Sequence, residues 1–515
     1  MPAADLILKN ANVITMVPAC PVAKLVAIKG NRILLVAGNE GLEQVKGAKT
    51  RIIDCHGKAV VPGFNDAHCH IFAFIRKLRS LDLSPSSVSS IADMKAAIRR
   101  HARSIPPGSW LTGTDYNEFY LAEKRHPNRW DIDEAAPQHP VVISHRSLHA
   151  CVLNSLALSL AGITRETPEP PGMLIDRDLD TGEPSGLLFE MLGYIREKVL
   201  PPLSEEELAE GIALANRHYL SMGITSLQEA TATNDFARWQ TLKRFKDSGR
   251  LQSRVSMMFG FDALSQFQEA GLTLGSGDSQ LRLGGVKILL SETTGQLQPP
   301  PPELNQQALS VHRAGFQLAI HCVEPSTVKA AIAALEYVSS QQPLAGRRHR
   351  LEHCSECPSQ LLKRLIKLKA MVVTQPPFIY YSGERYLATL PPTELRWLYR
   401  IKSFLDGGVM VAASSDSPVV LDNPLVGIYA AVTRRAESGQ PLLPEERISA
   451  QQALAMYTTN AAYASFEENI KGSIAPGKLA DMVVLSADPL KSPPEQLKDI
   501  RVEMTIIDGR VEWEV

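Results

Sequence analysis

Val60-Val61-Pro62-Gly63-Phe64-Asn65-Asp66-Ala67-His68-Cys69-His70 is a largely apolar run that ends in two histidines separated by one residue. A run with so little polar alternation reads as a strand buried on both faces, as in parallel sheets. Successive side chains of a strand point to opposite faces, so Asp66, His68 and His70 share one face and Cys69 takes the other. Two imidazoles at the carboxyl end of a buried strand suit a metal ion. Alone, a His-x-His pair is as readily structural, and its company decides the matter.

Seven further apolar segments read as strands: residues 223–229, 254–261, 283–290, 317–321, 349–353, 371–374 and 409–413. Helix candidates lie among them at 327–338, 360–369 and 393–405. Another helix opens on the capping box Ser204-Glu205-Glu206-Glu207 and runs to about Ser221, with Gly223 as its stop. Strand alternating with helix means a parallel sheet. Counting residues 60–71 as the first strand gives eight units, which predicts a closed (β/α)8 TIM barrel over 60–470. About 150 residues separate His70 from Gly223, where one βα unit takes about 30. An insert over about 80–200 is therefore expected after the first strand. Its Trp110, Tyr116, Tyr120 and Trp130 suggest a folded excursion, and its place in the chain suggests a cap over the barrel mouth.

Both ends of the chain read as short strands broken by turns, at 6–8, 13–16, 25–29, 32–36, 51–54 and 59–61, then at 481–485, 502–507 and 510–515. Neither end completes a domain alone, so residues 1–59 and 471–515 are expected to form one small β-sandwich. The chain has 515 residues, 54 Lys plus Arg against 55 Asp plus Glu, and a net charge of −1. That balance leaves no electrostatic footprint for nucleic acid or an anionic membrane. No apolar run nears the ~18 residues a membrane span needs, and the N-terminus, with Asp5 and Lys9, reads as a strand rather than a signal peptide. Seven scattered cysteines fit reduced thiols and a cytoplasmic location.

Four later strands each end in one group with metal-ligand chemistry: Lys287, His321, His353 and Asp416. The first three follow one another at about one βα unit, and Asp416 follows at about two. Regular spacing places every group at the same height on a barrel, as a shared site requires. Lys287 is the unusual member. A lysine in an apolar strand is pushed toward the neutral amine, which can add carbon dioxide and become a carbamate able to bridge two cations.

This ordered set, His68-x-His70, Lys287, His321, His353 and Asp416, resembles that of the amidohydrolase superfamily. Residues 60–68 resemble the family's entry motif, and Lys471-Gly472-Ser473-Ile474-Ala475-Pro476-Gly477-Lys478-Leu479-Ala480-Asp481 resembles its return into the β domain. The insert, with Leu148-His149-Ala150-Cys151 and Gly186-Leu187-Leu188-Phe189-Glu190, resembles the YtcJ-type branch (amidohydrolase family 3), which contains N-substituted formamide deformylase. Two stretches depart from the pattern: residues 288–293, after the lysine, and Val323-Glu324-Pro325, where a Gly-Asp pair is common.

The resemblance implies a hydrolase of carbon–nitrogen bonds other than peptide bonds, acting on an amide, formamide or related N-acyl small molecule. It implies two divalent cations, Zn²⁺ first, with Mn²⁺, Co²⁺ or Fe²⁺ as alternatives. His68, His70 and Asp416 would take one ion, and His321 with His353 the other. Carbamylated Lys287 and the attacking hydroxide would bridge them, and Asp416 would serve as catalytic base and then acid. Substrate contacts are expected from His149 and Arg146 in the insert and from Tyr380, Tyr381 and Arg385 after the seventh strand. Glu190 and Glu229 are candidate supporting acids, and Cys354 with Cys357 read as incidental thiols. Alternatives are a mononuclear deaminase or cyclic-amide hydrolase, and a non-catalytic scaffold. Barrels of this kind often form homo-oligomers.

Overall fold

Gly63 divides the run that opens the barrel into two strands of different sheets. Ala59–Pro62 pairs antiparallel with Met482–Leu485 and parallel with Asn12–Ile14, whereas Phe64–Cys69 pairs with Ile224–Glu229. The expected single strand over 60–71 is thus corrected. The reason is steric: a Cβ on residue 63 would stand 2.2 Å from Thr225 Oγ1, so only glycine lets the chain cross from one sheet to the other there. The computed structural model describes residues 1–293 and 295–515, and these fall into two units.

The first unit comprises Met1–His70, Ile212–Leu290 and Pro301–Val515. Its barrel strands are Phe64–Cys69, Ile224–Glu229, Arg254–Gly260, Leu281–Ile288, Leu318–Cys322, Arg350–His353, Met371–Thr374 and Val411–Ala413, adjacent in chain order and parallel throughout. They are apolar on both faces because helices such as Pro325–Gln341 and Ser359–Leu368 cover the outside. The eighth strand meets the first beyond its own end, where Asp416 N–H donates to the His68 carbonyl at 2.9 Å and His70 N–H to the Ser417 carbonyl at 2.7 Å.

The helix expected over 393–405 is instead two short ones, Pro392–Leu395 and Ile401–Asp406. Between them the backbone bonds elsewhere: Cys357 N–H donates to the Trp397 carbonyl and Tyr399 N–H to the Ser355 carbonyl. The buried Arg434 guanidinium takes the Leu398 and Tyr399 carbonyls. Tertiary partners outbid the helical ladder.

Two sheets of the same unit pack into a β-sandwich made by both termini. One runs in the order Arg32–Ala37, Leu25–Lys29, Leu6–Lys9, Arg51–Asp54. The other runs Arg510–Glu514, Val502–Ile507, Met482–Leu485, Ala59–Pro62, Asn12–Ile14, Val22–Ala23. Leu6, Leu8, Val26 and Ile28 of the first meet Val13, Val60, Met482 and Ile506 of the second in one apolar cluster.

The second unit, Ile71–Gly211 with Ser291–Pro300, has its own six-stranded sheet in the order Leu174–Arg177, Pro184–Phe189, Ala150–Leu153, Val141–His145, Leu111–Tyr116, Leu81–Asp82. Helices Ile91–Ala102 and Arg129–Ala135 bury Met94, Ile98 and Ile132 against it. Ser204 and Glu207 form the reciprocal cap expected at the start of helix Glu205–Ser221. No helix among the described residues is long and apolar enough to cross a membrane.

Arg254, at the start of the third barrel strand, is buried and bonds both oxygens of Asp481, at 2.6 and 2.8 Å, and Asp508 at 2.6 Å. This joins the barrel to the C-terminal strands of the sandwich. Arg254→Met strands the buried Asp481 charge and should lower stability by about 3–5 kcal/mol, seen as an earlier first transition in urea. A shift below about 0.5 kcal/mol, the range of an ordinary surface substitution, would show that this pair does not hold the two parts together.

Candidate metal centre

Six side chains with ligand chemistry come from the carboxyl ends of the first, fourth, fifth, sixth and eighth strands. His68 lies in the first strand and His70 directly after it; Lys287, His321 and His353 lie at or near the ends of theirs. Asp416 follows the eighth strand. The structure brings all six together. His70 Nε2 and His68 Nε2 approach Asp416 Oδ1 at 3.1 and 3.4 Å, and Lys287 Nζ lies 3.3 Å from His68 Nε2. The His353 ring stands 4.9 Å from that of His68 and 4.4 Å, edge-on, from that of His321.

Local backbone geometry makes this convergence possible. In the sheet register His321 pairs with Glu352, so strand alternation alone would send His353 to the opposite face. His353 instead adopts φ +66°, and Asp416 adopts φ +61°. The left-handed conformation turns each side chain back into the site. For non-glycine residues this costs about 1–3 kcal/mol each and persists where surrounding contacts enforce it.

Three imidazoles are held through Nδ1. His68 Nδ1 bonds the Glu352 carboxylate, His70 Nδ1 bonds Thr231 Oγ1 at 2.8 Å, and His353 Nδ1 donates to Gln375 Oε1 at 2.8 Å. Gln375 is oriented in turn by donating to Ser414 Oγ at 2.9 Å. Glu352 is fixed by Arg350, which also donates to Gln228 Oε1 and to the Ala67 carbonyl, both at 2.6 Å. Asp66 accepts from Ser415 N–H at 3.0 Å and from the Ser415 hydroxyl. Glu229, fully buried, accepts from Thr231 N–H and Asn234, so it supports the loop that carries Thr231.

With Nδ1 donating to Glu352 and to Gln375, the His68 and His353 rings present the Nε2 lone pair to the site, the arrangement of metal-bound histidines. The ligand atoms of His68, His70 and Asp416 all lie within 4.8 Å of one another. Lone pairs facing a carboxylate at this range repel it unless a cation or a proton lies between. The donor set therefore fits a divalent metal ion.

The electrostatics agree. Burial, then the nearby Lys287 charge, pushes His68 down to about 3, so the ring is neutral at physiological pH. Burial also lowers His353. Burial brings Lys287 down to about 8 against the pull of Glu352 and Asp416, so the free amine is far more accessible than in an ordinary lysine. Burial alone would raise Asp416, but His353, His70 and His68 outweigh it and keep the carboxylate ionised. Burial likewise opposes ionisation of Glu352, and Arg350 and His68 reverse it.

Sequence reasoning missed Glu352, Thr231 and Gln375. Arg350 and Glu352, two charges alternating in a fully buried strand, were a signal for the first. Thr231 and Gln375 follow strand ends closely, and nothing in their residue type marks them.

The other expected substrate contacts are placed as follows. His149 and Arg146 belong to the second unit, where His149 Nδ1 bonds Glu190 at 2.9 Å and Thr293 Oγ1 donates to the same carboxylate. Tyr380, Tyr381 and Arg385 lie on helix Pro377–Thr389. Tyr380 packs edge-on against Tyr429, and Arg385 lies over the Tyr386 ring. Cys354 and Cys357 are buried free thiols.

The chain is similar to known proteins along nearly its whole length. The chain is 30% identical to N-substituted formamide deformylase of Arthrobacter pascens, over 99% of this chain and 98% of that one. It is 26% identical to the putative amidohydrolase YtcJ of Bacillus subtilis, over 93% and 94%. The solved structure of an uncharacterized metal-dependent hydrolase from Pyrococcus horikoshii OT3 superposes with a TM-score of 0.75 at 23% identity, covering 95% of this chain and 99% of that one. Residues 51–512 match the sequence profile of the amidohydrolase family, and the chain belongs to that family.

Proposed function

We propose that the chain hydrolyses the C–N bond of a small N-acyl compound, an N-substituted formamide or related amide, with two divalent cations and a carbamylated Lys287. The observation that carries this reading is the convergence of His68, His70, Lys287, His353 and Asp416 on one buried point at the end of the barrel. The substrate class rests on the activity named for the Arthrobacter relative, which matches along nearly its whole length.

His68, His70 and Asp416 would hold one cation, and His321 with His353 the other; Zn²⁺ suits this donor set. Bound divalent cations supply Lewis-acid activation of water and of the substrate carbonyl. The chain does the rest. Lys287, only 3% exposed, would add carbon dioxide as the free amine at Nζ with loss of one proton, and the resulting carbamate would supply a further oxygen ligand for the cations. Glu352 and Gln375 hold the His68 and His353 rings so that Nε2 stays free of protons, and Thr231 orients the His70 ring. The Asp416 contacts to His68 and His70 are made by Oδ1, which leaves Oδ2 to take a proton as water adds to the carbonyl carbon. The same oxygen passes that proton to the leaving nitrogen as the C–N bond breaks, giving an acid and an amine.

The compactness of His68, His70 and Asp416, the group of three ligands gathered among the described residues, favours one other reading: a single cation with Lys287 as free amine, serving deamination or cyclic-amide hydrolysis.

Asp416→Asn should lower turnover of an N-substituted formamide, read as amine released, by about 10²–10⁴-fold while bound metal remains measurable. Turnover near that of the wild type would remove Asp416 from proton transfer. Glu352→Gln should weaken metal binding about 10–100-fold in competition with a chelator, because the His68 tautomer is no longer enforced. Unchanged affinity would mean that Glu352 serves packing alone.

A further inference from the structure

Asp416 holds a left-handed backbone, φ +61°, and a residue of its kind stays there only where contacts on both sides enforce the conformation. Upstream the enforcement is plain. Ser415 is bonded through its amide and its hydroxyl to Asp66, and Asp416 N–H donates to the His68 carbonyl. Downstream, Val419 N–H donates to the Asp416 carbonyl at 2.9 Å and closes a turn on it. Whatever holds the chain just beyond Val419 therefore bears on Asp416.

That hold includes a buried carboxylate. Asp422 follows Val419 closely in the chain, its side chain is only 2% exposed, and its Oδ1 meets His218 Nε2 at 2.6 Å. Its Oδ2 is buried with no hydrogen-bond partner. An ionised carboxylate can only accept, so Nε2 is the donor, and His218 carries the pairing that keeps this charge inside. His218 stands in the last turn of helix Glu205–Ser221, which leads into the second barrel strand. Directly after Asp422, Asn423 Oδ1 accepts Leu425 N–H at 3.0 Å and starts helix Pro424–Thr433. The segment that carries Asp416 is thus tied to Asp66 at one end and to His218 at the other. Without His218, the Asp422 carboxylate would be left in the interior with neither oxygen bonded, a state costly enough to draw the segment toward water.

We propose that His218, acting through Asp422, is a positioning residue for Asp416: it holds the downstream end of the segment so that the strained backbone keeps the Asp416 carboxylate aimed at His68 and His70. The inference rests on the reading of Asp416 as metal ligand and proton carrier, and it adds to that reading the contact that fixes the residue's geometry from outside the ligand set.

The test compares His218→Ala and His218→Gln with the wild type, each full-length and loaded with cobalt. The glutamine amide nitrogen takes the place of Nε2 and still donates to Asp422 Oδ1. In His218→Ala, kcat for an N-substituted formamide should fall about tenfold or more while KM stays within about twofold. The visible absorption of the bound cobalt should shift, and hydrogen exchange across residues 414–423 should quicken. His218→Gln should restore all three. If His218→Ala does not fold, His218→Asn, whose shorter amide falls short of Asp422, replaces it in each comparison. A wild type that binds no cobalt or turns over no formamide sinks the hydrolase reading instead, and hydrogen exchange then decides the role of His218 by itself. Exchange that is unchanged in His218→Ala, or equally fast in both variants, overturns the proposal. So does an active His218→Ala with the cobalt spectrum and kcat of the wild type.

Discussion

The last seam of the barrel is closed by the same short segments that carry candidate metal ligands. Asp416 N–H reaches the His68 carbonyl, His70 N–H reaches the Ser417 carbonyl, and the Asp66 carboxylate takes the Ser415 amide and hydroxyl. The eighth strand is only Val411–Ala413, so these bonds join it to the first strand beyond its regular end. His68, His70 and Asp416 are therefore brought within a few ångströms of each other by the backbone. Backbone bonds thus help to hold the residues that bear these side chains in position.

That preparation creates an electrostatic problem. Neutral imidazoles, a buried amine and two carboxylates share a volume from which water is largely excluded, and an unpaired charge there is expensive. Arg350 answers it from beneath: it neutralises Glu352, which fixes His68, and it ties the first strand through the Ala67 carbonyl. Thr231 and Gln375 do the same for His70 and His353 without adding charge. The depressed Lys287 belongs to this economy, since a free amine there relieves repulsion and opens carbamate chemistry.

Much of this was legible in the chain itself. The ligands lie at or just after strand ends, and strand ends recur at the βα interval, so spacing alone aligned Lys287, His321, His353 and Asp416. Terminal strands such as Leu25–Lys29 and Val502–Ile507 were bounded by turn residues and are found where expected. What was not legible depends on contacts distant in sequence. Glu352 acts through a bond to a residue 284 positions away, and no local pattern encodes that partner. The interrupted segment around Trp397–Tyr399 has helical composition, but Arg434 and the Ser355–Cys357 backbone claim its polar groups. The division at Gly63 escaped for a similar reason, because Thr225, which forbids a side chain there, belongs to another strand.

The account turns on a bridged pair of cations, and elemental analysis of protein purified without chelator and with bicarbonate present tests it most directly. About two divalent metals per chain, falling to about one or fewer in Lys287→Ala, is the predicted result. One metal per chain in both proteins would contradict the bridging lysine and leave a mononuclear centre. No metal after exposure to zinc, manganese and cobalt would contradict the hydrolytic mechanism as a whole.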